Sequence, residues 1–394
     1  MDIKLASRVR RIKPSPTLAV TAKANQLRLE GVDVINLAAG EPDFDTPEHI
    51  KQAAIEAIQS GKTKYTAVGG TNSLKAAIID KFKRDNGLSY DAKEILVSNG
   101  GKQSFYNLCQ AVIDQGDEVI IPAPYWVSYP DMVLLADGIP AFISADHTQG
   151  FKITAKQLTS KISTVTKMLV LNSPSNPTGA NYTEDELKSL ADVLIKHPQI
   201  LIATDDMYEH ILFKGEKFSN ILAVCPELKS RTLVLNGVSK AYSMTGWRIG
   251  YAAGPVDIIT AMLNIQSQST SNPCSISQAA AEAALAGDQH CVSEMCAAFE
   301  ERHDFLVEEL NKVPGISCTP SQGTFYCFAN IDEAIKNTPN VENDVEFATL
   351  LLTKCAIAVV PGTAFGLPGY IRISFANSKQ NLAEAMQRLK ETFV

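Results

Sequence analysis

The sequence has no long apolar stretch: none of its 394 residues lies in an uninterrupted apolar run of the ~18 residues that a membrane-spanning helix needs. The N-terminal segment, MDIKLASRVRRIKPSP, also lacks the apolar core of a secretory signal peptide. We therefore expect a soluble protein that resides in the cytoplasm and has no membrane partner.

Positive charge and paired cysteines are also scarce. Lys and Arg number 36 against 43 Asp and Glu, a net charge of −7 at pH 7, which argues against nucleic acid as a partner. The eight cysteines are scattered, and none forms a CxxC pair. This spacing favours free thiols in a reducing compartment over disulfides or a zinc site, so we predict no bound metal.

Apolar residues make up 45% of the chain, which is enough for two domains that share a large core. From Glu94 onward, short apolar segments that predict strands alternate with segments that predict helices. The predicted strands cover residues 95–98, 118–121, 167–171, 200–203 and 232–235. This alternation predicts an α/β fold with a mostly parallel sheet and helices on both faces.

Capping residues predict where two helices start. Thr46 and Pro47 offer a hydroxyl cap followed by proline at the first helical position. Thr183 and Glu186 have the spacing of a capping box. We expect a helix to begin after each threonine.

Lys240 stands at an unusual place for a lysine. It directly follows the predicted buried strand 232–235 and a turn of small residues, and Arg248 lies eight residues further on. Burial and a second cation both favour the neutral amine, which is the form that makes a Schiff base. The ordinary alternative is a structural or solvated lysine at a strand end.

The run from Gly237 to Gly250, GVSKAYSMTGWRIG, resembles the pyridoxal-phosphate attachment signature of the class I aminotransferases. The resemblance implies fold type I, with a large cofactor-binding domain over residues 48–287. Residues 1–47 with 288–394 would form a smaller α+β domain. It also implies that Lys240 binds pyridoxal 5′-phosphate as a Schiff base and then acts as the catalytic base.

Several residues are implied to hold the cofactor phosphate. The Gly100-Gly101 turn feeds a predicted helix, whose first N–H groups suit an anion. The resemblance adds Lys102 to this site, and Arg248 as a second cation. It also implies that Tyr65 reaches across a homodimer interface to the partner's phosphate, so that the two active sites are shared.

Other residues are implied to surround the cofactor ring. Trp126 would cover the ring face, although core packing is the commoner fate of a tryptophan. Asp205 would hold the ring nitrogen, and Asn176 and Tyr208 would bind the phenolic oxygen. Trp126 and Asn176 are also expected to contact substrate. The family often has histidine where this chain has Tyr129, which leaves the partner of Asp205 open.

Further residues are implied to bind the substrate. Gly40 would let the backbone approach the substrate carboxylate, and Arg372 would clamp that carboxylate with two parallel hydrogen bonds. The ordinary alternative for Arg372 is an exposed cation on the predicted strand 370–375. Lys102 matches the lysine that binds the distal carboxylate in bacterial aspartate aminotransferases, and Lys13 is a further candidate cation.

These features predict transamination of L-aspartate and L-glutamate with 2-oxoglutarate or oxaloacetate, and prephenate is a further candidate substrate. The alternatives are an aromatic or alanine-type aminotransferase, or a pyridoxal-phosphate-dependent β-lyase of the same fold. A ligand-sensing transcription regulator of this fold is not expected, because only 39 residues precede Gly40 and the chain is acidic.

Overall fold

The computed structural model describes residues 3–14 and 16–393. The strands within this part of the chain are β1 (Ile35–Asn36), β2 (Ile95–Ser98), β3 (Glu118–Ala123), β4 (Ile139–Ser144), β5 (Thr166–Asn172), β6 (Leu201–Asp205), β7 (Thr232–Gly237), β8 (Gly250–Ala253), β9 (Tyr326–Asn330), β10 (Ile357–Ala358), β11 (Val360–Pro361) and β12 (Tyr370–Ser374).

The α-helices in the same residues are α1 (Ser7–Arg11), α2 (Pro16–Leu29), α3 (Glu48–Gln59), α4 (Asn72–Lys81), α5 (Gly101–Val112), α6 (Ser128–Leu135), α7 (Ala155–Lys161), α8 (Glu184–Ile195), α9 (Ile221–Val224), α10 (Val256–Ser267), α11 (Ser275–Ala286), α12 (His290–Leu310), α13 (Asp332–Asn337), α14 (Asp344–Lys354) and α15 (Lys379–Phe393). No helix of the described residues is both long enough and apolar enough to cross a membrane.

The central sheet has the strand order β2-β8-β7-β6-β5-β3-β4 in the described chain. Its strands run parallel except β8, which is antiparallel to both β2 and β7. Side chains alternate between the two faces: Val234 packs into one apolar cluster, while Leu233 and Leu235 pack into another. Because helices cover both faces, the predicted α/β fold with a mostly parallel sheet is confirmed.

A smaller sheet lies in the C-terminal part of the chain, in the order β11-β12-β9, with both pairs antiparallel. Strand β1 pairs with β10, and this pairing joins the N-terminal segment to the C-terminal part. A third apolar cluster combines Leu37 with residues of α12, β9, α14 and α15. The predicted domain limits, 48–287 and 1–47 with 288–394, stay a prediction, and residues 1, 2, 15 and 394 lie outside the described residues.

Both predicted helices begin close to the predicted positions, α3 at Glu48 and α8 at Glu184, but only one of the two predicted caps is confirmed. Thr183 caps α8 through a full capping box with Glu186. Thr46 does not cap α3, whose N-cap is Pro47. The Thr46 hydroxyl instead donates to the Ser243 carbonyl at 2.7 Å and accepts from the Trp247 indole at 2.9 Å. Thr46 therefore ties the start of α3 to the loop that follows Lys240.

All eight cysteines lie in the described residues and are free thiols. No group of three or more His, Cys, Asp and Glu side chains within residues 3–14 and 16–393 has the arrangement of a metal site.

Candidate active site

A cleft of about 410 Å³ opens at the carboxyl edge of the central sheet, where β5, β6 and β7 end. In an open α/β sheet, this edge is the usual place for a ligand site. The cleft brings together most of the residues predicted for the site: Gly40, Gly101, Lys102, Trp126, Asn176, Asp205, Tyr208, Lys240, Arg248 and Arg372.

Lys240 lies in the loop after β7, and its ammonium group donates a hydrogen bond to the carbonyl oxygen of Gly40. Burial and, after it, the charge of Arg372 lower the pKa of Lys240 to about 8, while the charge of Glu41 opposes the shift. Sequence reasoning predicted burial and a neighbouring cation. The structure gives Arg372 a larger effect on this pKa than Arg248.

Arg372 on β12 is 2% exposed, so the alternative of an exposed strand cation is wrong. Its Nη1 donates to Asn176 Oδ1 at 3.0 Å, and its Nη2 donates to the Ala38 carbonyl at 2.7 Å. Its Nε has no hydrogen-bond partner in the described part of the chain. A buried guanidinium with an unused donor is suited to a carboxylate, which forms strong bonds with arginine.

Asp205 is the last residue of β6, and Tyr129 is its partner. The Tyr129 hydroxyl donates to Asp205 Oδ2 at 2.5 Å, and the Met207 N–H donates to Oδ1 at 3.3 Å. Burial raises the pKa of Asp205, while these two hydrogen bonds oppose the rise. The Tyr129 ring also packs edge-on against Trp126, at 5.1 Å between centroids. One tyrosine therefore supports both the acid and the aromatic wall.

Two polar side chains flank this acid. Because Asn176 Oδ1 accepts from Arg372, the amide nitrogen of Asn176 remains available as a donor. The backbone N–H of Asn176 is fixed by Asn172 Oδ1 at 2.9 Å. The Tyr208 hydroxyl lies 3.0 Å from the hydroxyl of Tyr326. The site thus combines an amide donor and a phenol next to a half-buried carboxylate.

The glycine turn at the start of α5 is closely packed. Gly100 has φ +87°, and a Cβ there would lie 2.3 Å from the Arg248 guanidinium. A Cβ on Gly250 would lie 2.2 Å from the Gly101 nitrogen. Only glycine allows these approaches, which place Arg248 against the free N–H groups that begin α5. Together they form a positive cradle for an anion.

Lys102 is the second residue of α5 and lines the cleft. Its ammonium group lies 5.2 Å from the centroid of the Trp126 ring. Burial lowers the pKa of Lys102, and the charge of Arg248 lowers it further. Trp126 is therefore a wall of the cleft, with a cation against its ring.

Three predicted site residues do not line the cleft of this chain: Gly100, Tyr65 and Lys13. Tyr65 is 92% exposed, on the loop before α4. Lys13 is exposed and lies beside Asp131. Burial raises the pKa of Asp131, while the backbone N–H and the charge of Lys13 oppose that rise. Residues Thr17, Leu18 and Thr21 of α2 line the cleft instead. The roles of Tyr65 and Lys13 stay predictions.

Sequence reasoning missed several residues of the cleft. Tyr326 is fully buried between Tyr208 and Arg372, yet it follows Phe325 in what reads as an ordinary apolar strand. Glu41 accepts from the Thr245 hydroxyl at 2.9 Å at the mouth of the cleft. Glu41 could have been predicted as a cleft residue because it directly follows Gly40. No local sequence pattern indicates that Tyr326 lies in the cleft.

Comparisons with known proteins agree with this geometry. The family model for aminotransferase class I and II matches residues 32–389. The aspartate/prephenate aminotransferase of Nitrosomonas europaea is 61% identical over 392 residues, which cover 98% of this chain and 99% of that protein.

Two solved structures superpose over nearly the whole chain. The aspartate aminotransferase of Rhizobium meliloti has a TM-score of 0.96 at 47% identity, with 99% of this chain and 98% of that chain covered. The aspartate aminotransferase of Thermus thermophilus with maleate has a TM-score of 0.93 at 43% identity, with 99% and 100% covered.

Proposed function

Because the chain belongs to the class I and II aminotransferases, we propose that it moves the amino group between L-aspartate or L-glutamate and the 2-oxo acids oxaloacetate and 2-oxoglutarate. The observation that carries the proposal is the cleft itself. It holds the Lys240 amine, with its pKa lowered to about 8, among Asp205, Arg248 and Arg372. Prephenate is a second candidate substrate, since the Nitrosomonas relative is named an aspartate/prephenate aminotransferase.

We propose pyridoxal 5′-phosphate as the cofactor, because the donors of the cleft match its groups. The start of α5 at Gly100 and Gly101, with Arg248, suits the phosphate dianion. The Asp205 carboxylate suits a protonated ring nitrogen, and Trp126 suits a ring face. When bound, the cofactor supplies an aldehyde that takes up amino groups and a ring that accepts electrons.

The side chains of this protein supply orientation and proton transfer. Asp205 keeps the proton on the ring nitrogen, and Tyr129 keeps Asp205 in place. Asn176 Nδ2 and the Tyr208 hydroxyl would donate to the phenolic oxygen of the cofactor. Lys240 Nζ removes the proton from the substrate Cα, for which a neutral amine is required. The lowered pKa of Lys240 makes that neutral form abundant near pH 8.

Substrate recognition uses two cations at separate places. Arg372 offers its unused Nε to the α-carboxylate, near the backbone of Gly40. Lys102, against the Trp126 ring, offers its charge to the distal carboxylate. The Thermus structure was solved with maleate, a dicarboxylate, which is consistent with two anion-binding points in a related cleft.

We further propose a homodimer in which Tyr65 of each chain completes the partner's phosphate site. Tyr65 is 92% exposed, which is unusual for an aromatic ring of a stable fold. Exposed Ile55 and Ile58 on the preceding α3 would be covered in the same assembly.

A single-turnover experiment tests the function. The protein loaded with pyridoxal phosphate is mixed with aspartate, glutamate, alanine, phenylalanine and arogenate in parallel, and the change in visible absorbance is followed. We expect aspartate and glutamate to convert the cofactor to pyridoxamine phosphate, with the 2-oxo acid as the only other product.

The alternatives give different outcomes in the same experiment. Release of ammonia and pyruvate would indicate a β-lyase, and faster conversion with alanine or an aromatic amino acid would indicate a different aminotransferase. Lys240→Ala should fold with an unchanged unfolding temperature and lose multiple turnover. Ordinary turnover by that variant would refute the assignment of Lys240.

A further inference from the structure

Tyr326 contacts three residues of the proposed active site at once. It begins β9, is fully buried and lines the cleft. Its hydroxyl lies 3.0 Å from the Tyr208 hydroxyl, and its ring centroid lies 4.3 Å from the guanidinium carbon of Arg372. A Cβ on Gly40 would lie 3.2 Å from the same hydroxyl. Tyr326 therefore joins the side chains around the cofactor to those around the substrate.

The proposed function determines which of the two hydroxyls, that of Tyr208 or that of Tyr326, donates the hydrogen bond between them. Each phenol has one proton to donate. If Tyr208 gives its proton to the phenolic oxygen of the cofactor, its own oxygen must accept, so Tyr326 is the donor across the 3.0 Å contact. Burial raises the pKa of both tyrosines, so both keep their protons at neutral pH. A phenol that accepts a hydrogen bond becomes a stronger donor, because neighbouring bonds polarise each other.

The ring of Tyr326 contacts the guanidinium of Arg372. The guanidinium lies between the rings of Tyr326, at 4.3 Å, and Phe365, at 5.1 Å. Such stacking fixes the plane of the guanidinium by cation–π attraction and uses none of its N–H groups. Two of those groups bind Asn176 and Ala38. The Nε of Arg372 has no hydrogen-bond partner in the described chain, so it stays available to a carboxylate.

We propose that Tyr326 is a positioning residue with two separable parts. Its hydroxyl turns the proton of Tyr208 towards the cofactor oxygen, and its ring holds Arg372 in the plane that receives the substrate carboxylate. The proposal rests on the aminotransferase function proposed above, and it adds a residue that links recognition of the substrate to the hydrogen bonding of the cofactor.

Two variants separate the two parts. Tyr326→Phe keeps the ring and removes the donor. Tyr208 then donates a weaker hydrogen bond to the cofactor oxygen. That oxygen keeps more negative charge, so the proton near it is bound more tightly. We expect the pH midpoint of the cofactor absorbance to rise by ~0.5 units. We also expect kcat to fall roughly fivefold, while KM for aspartate changes less than about twofold.

Tyr326→Leu removes the ring as well. We expect the same rise of the midpoint together with a roughly tenfold rise in KM for aspartate and in Kd for succinate, a dicarboxylate that does not react. The succinate affinity is measured by calorimetry. A double variant that combines Tyr326→Phe with Tyr208→Phe should have the same pH midpoint of cofactor absorbance as Tyr208→Phe alone. The reason is that the hydroxyl of Tyr326 acts through Tyr208.

Tyr182→Phe is the matched control. Tyr182 is a buried tyrosine outside the cleft, whose hydroxyl accepts from the Ile153 N–H at 2.9 Å. It should change the unfolding temperature without moving the midpoint, KM or Kd. The inference is overturned if Tyr326→Phe moves the midpoint no more than Tyr182→Phe, or if the Phe and Leu variants raise KM equally. Failure of the proposed function is distinct, because wild-type protein would then not convert the cofactor with aspartate.

Discussion

At the scale of single residues, the charge state of Lys240 decides how the cofactor can be attached. An ordinary lysine has a pKa of 10.5, whereas burial and Arg372 lower that of Lys240 to about 8. The lowered pKa favours the neutral amine above pH 8 and the ammonium below it. At pH 8 about half of the molecules carry the neutral amine, against roughly 0.3% for an unshifted lysine.

We therefore predict that the rate of loading apoenzyme with pyridoxal phosphate rises with pH and levels off above about pH 8. A free lysine derivative, measured in parallel, corrects for ionisation of the cofactor itself. Arg372→Gln removes the second largest cause of the shift, so its midpoint should lie at higher pH. A wild-type rate that climbs without a break to pH 10 would contradict the assigned pKa.

Lys102 allows a prediction about selectivity. Lys102→Gln removes the charge proposed to bind the distal carboxylate, and a charged hydrogen bond of this kind contributes about 2 kcal/mol. The kcat/KM for aspartate should fall roughly 30-fold, and that for alanine by less than about threefold. Lys336→Gln, which changes an exposed lysine on α13, is the control. Equal losses for both amino acids would mean that Lys102 does not recognise the side chain.

At the scale of elements, strands and the turns after them were predictable from sequence. The predicted strands at 95–98 and 232–235 lie within β2 and β7 of the structure. A short apolar run bounded by turn residues is typical of a buried strand. What sequence reasoning missed depends on contacts between distant segments. Thr46 binds Ser243 and Trp247 instead of capping α3, and Tyr326 meets Tyr208 from a separate sheet.

Tyr129 is a second residue whose partner could not be predicted from sequence. Its place three residues after Trp126 was noted, but its hydrogen bond to Asp205 spans 76 positions of the chain. A local pattern can indicate that a residue stands at a strand end. It does not say which of several nearby polar groups will bind it, because that depends on how distant segments of the chain pack together.

The contact between β8 and the start of α5 supports a prediction for a pair of glycines in the same signature. A Cβ on Gly250 would lie 2.2 Å from the Gly101 nitrogen, whereas a Cβ on Gly246 would meet nothing within 4 Å. Gly250→Ala should push the phosphate cradle away from Arg248. We expect a Kd for pyridoxal phosphate at least about tenfold higher, with a stability loss of about 1–3 kcal/mol.

Absorbance titration of apoenzyme measures the affinity, and denaturant unfolding measures the stability. Gly246→Ala should match wild type in both measurements. If the two variants weaken cofactor binding equally, close packing of β8 against α5 is not the reason for glycine at position 250.

At the scale of the whole molecule, the cleft of each chain holds most of the predicted site residues, and the exposed Tyr65 and Lys13 are among those that do not line it. The cleft joins the central sheet, which carries Asp205, to the smaller sheet, which carries Arg372, and the two are linked through Asn176. Tyr65 is 92% exposed and does not line the cleft of its own chain, which supports the proposal that it serves a second chain. In the proposed dimer, each chain would complete the active site of its partner.

Mixed dimers test this arrangement. One chain carries Lys240→Ala and the other carries Tyr65→Phe, and differently tagged chains allow the mixed dimer to be purified. If Tyr65 serves the partner, one site combines both changes and the other has neither. At limiting cofactor, the mixed dimer should then show about half of wild-type activity, although the Tyr65→Phe homodimer binds pyridoxal phosphate about tenfold more weakly. If Tyr65 serves its own chain, the site that keeps Lys240 also carries Tyr65→Phe. The mixed dimer would then reach only half of the Tyr65→Phe activity, which would refute the shared site.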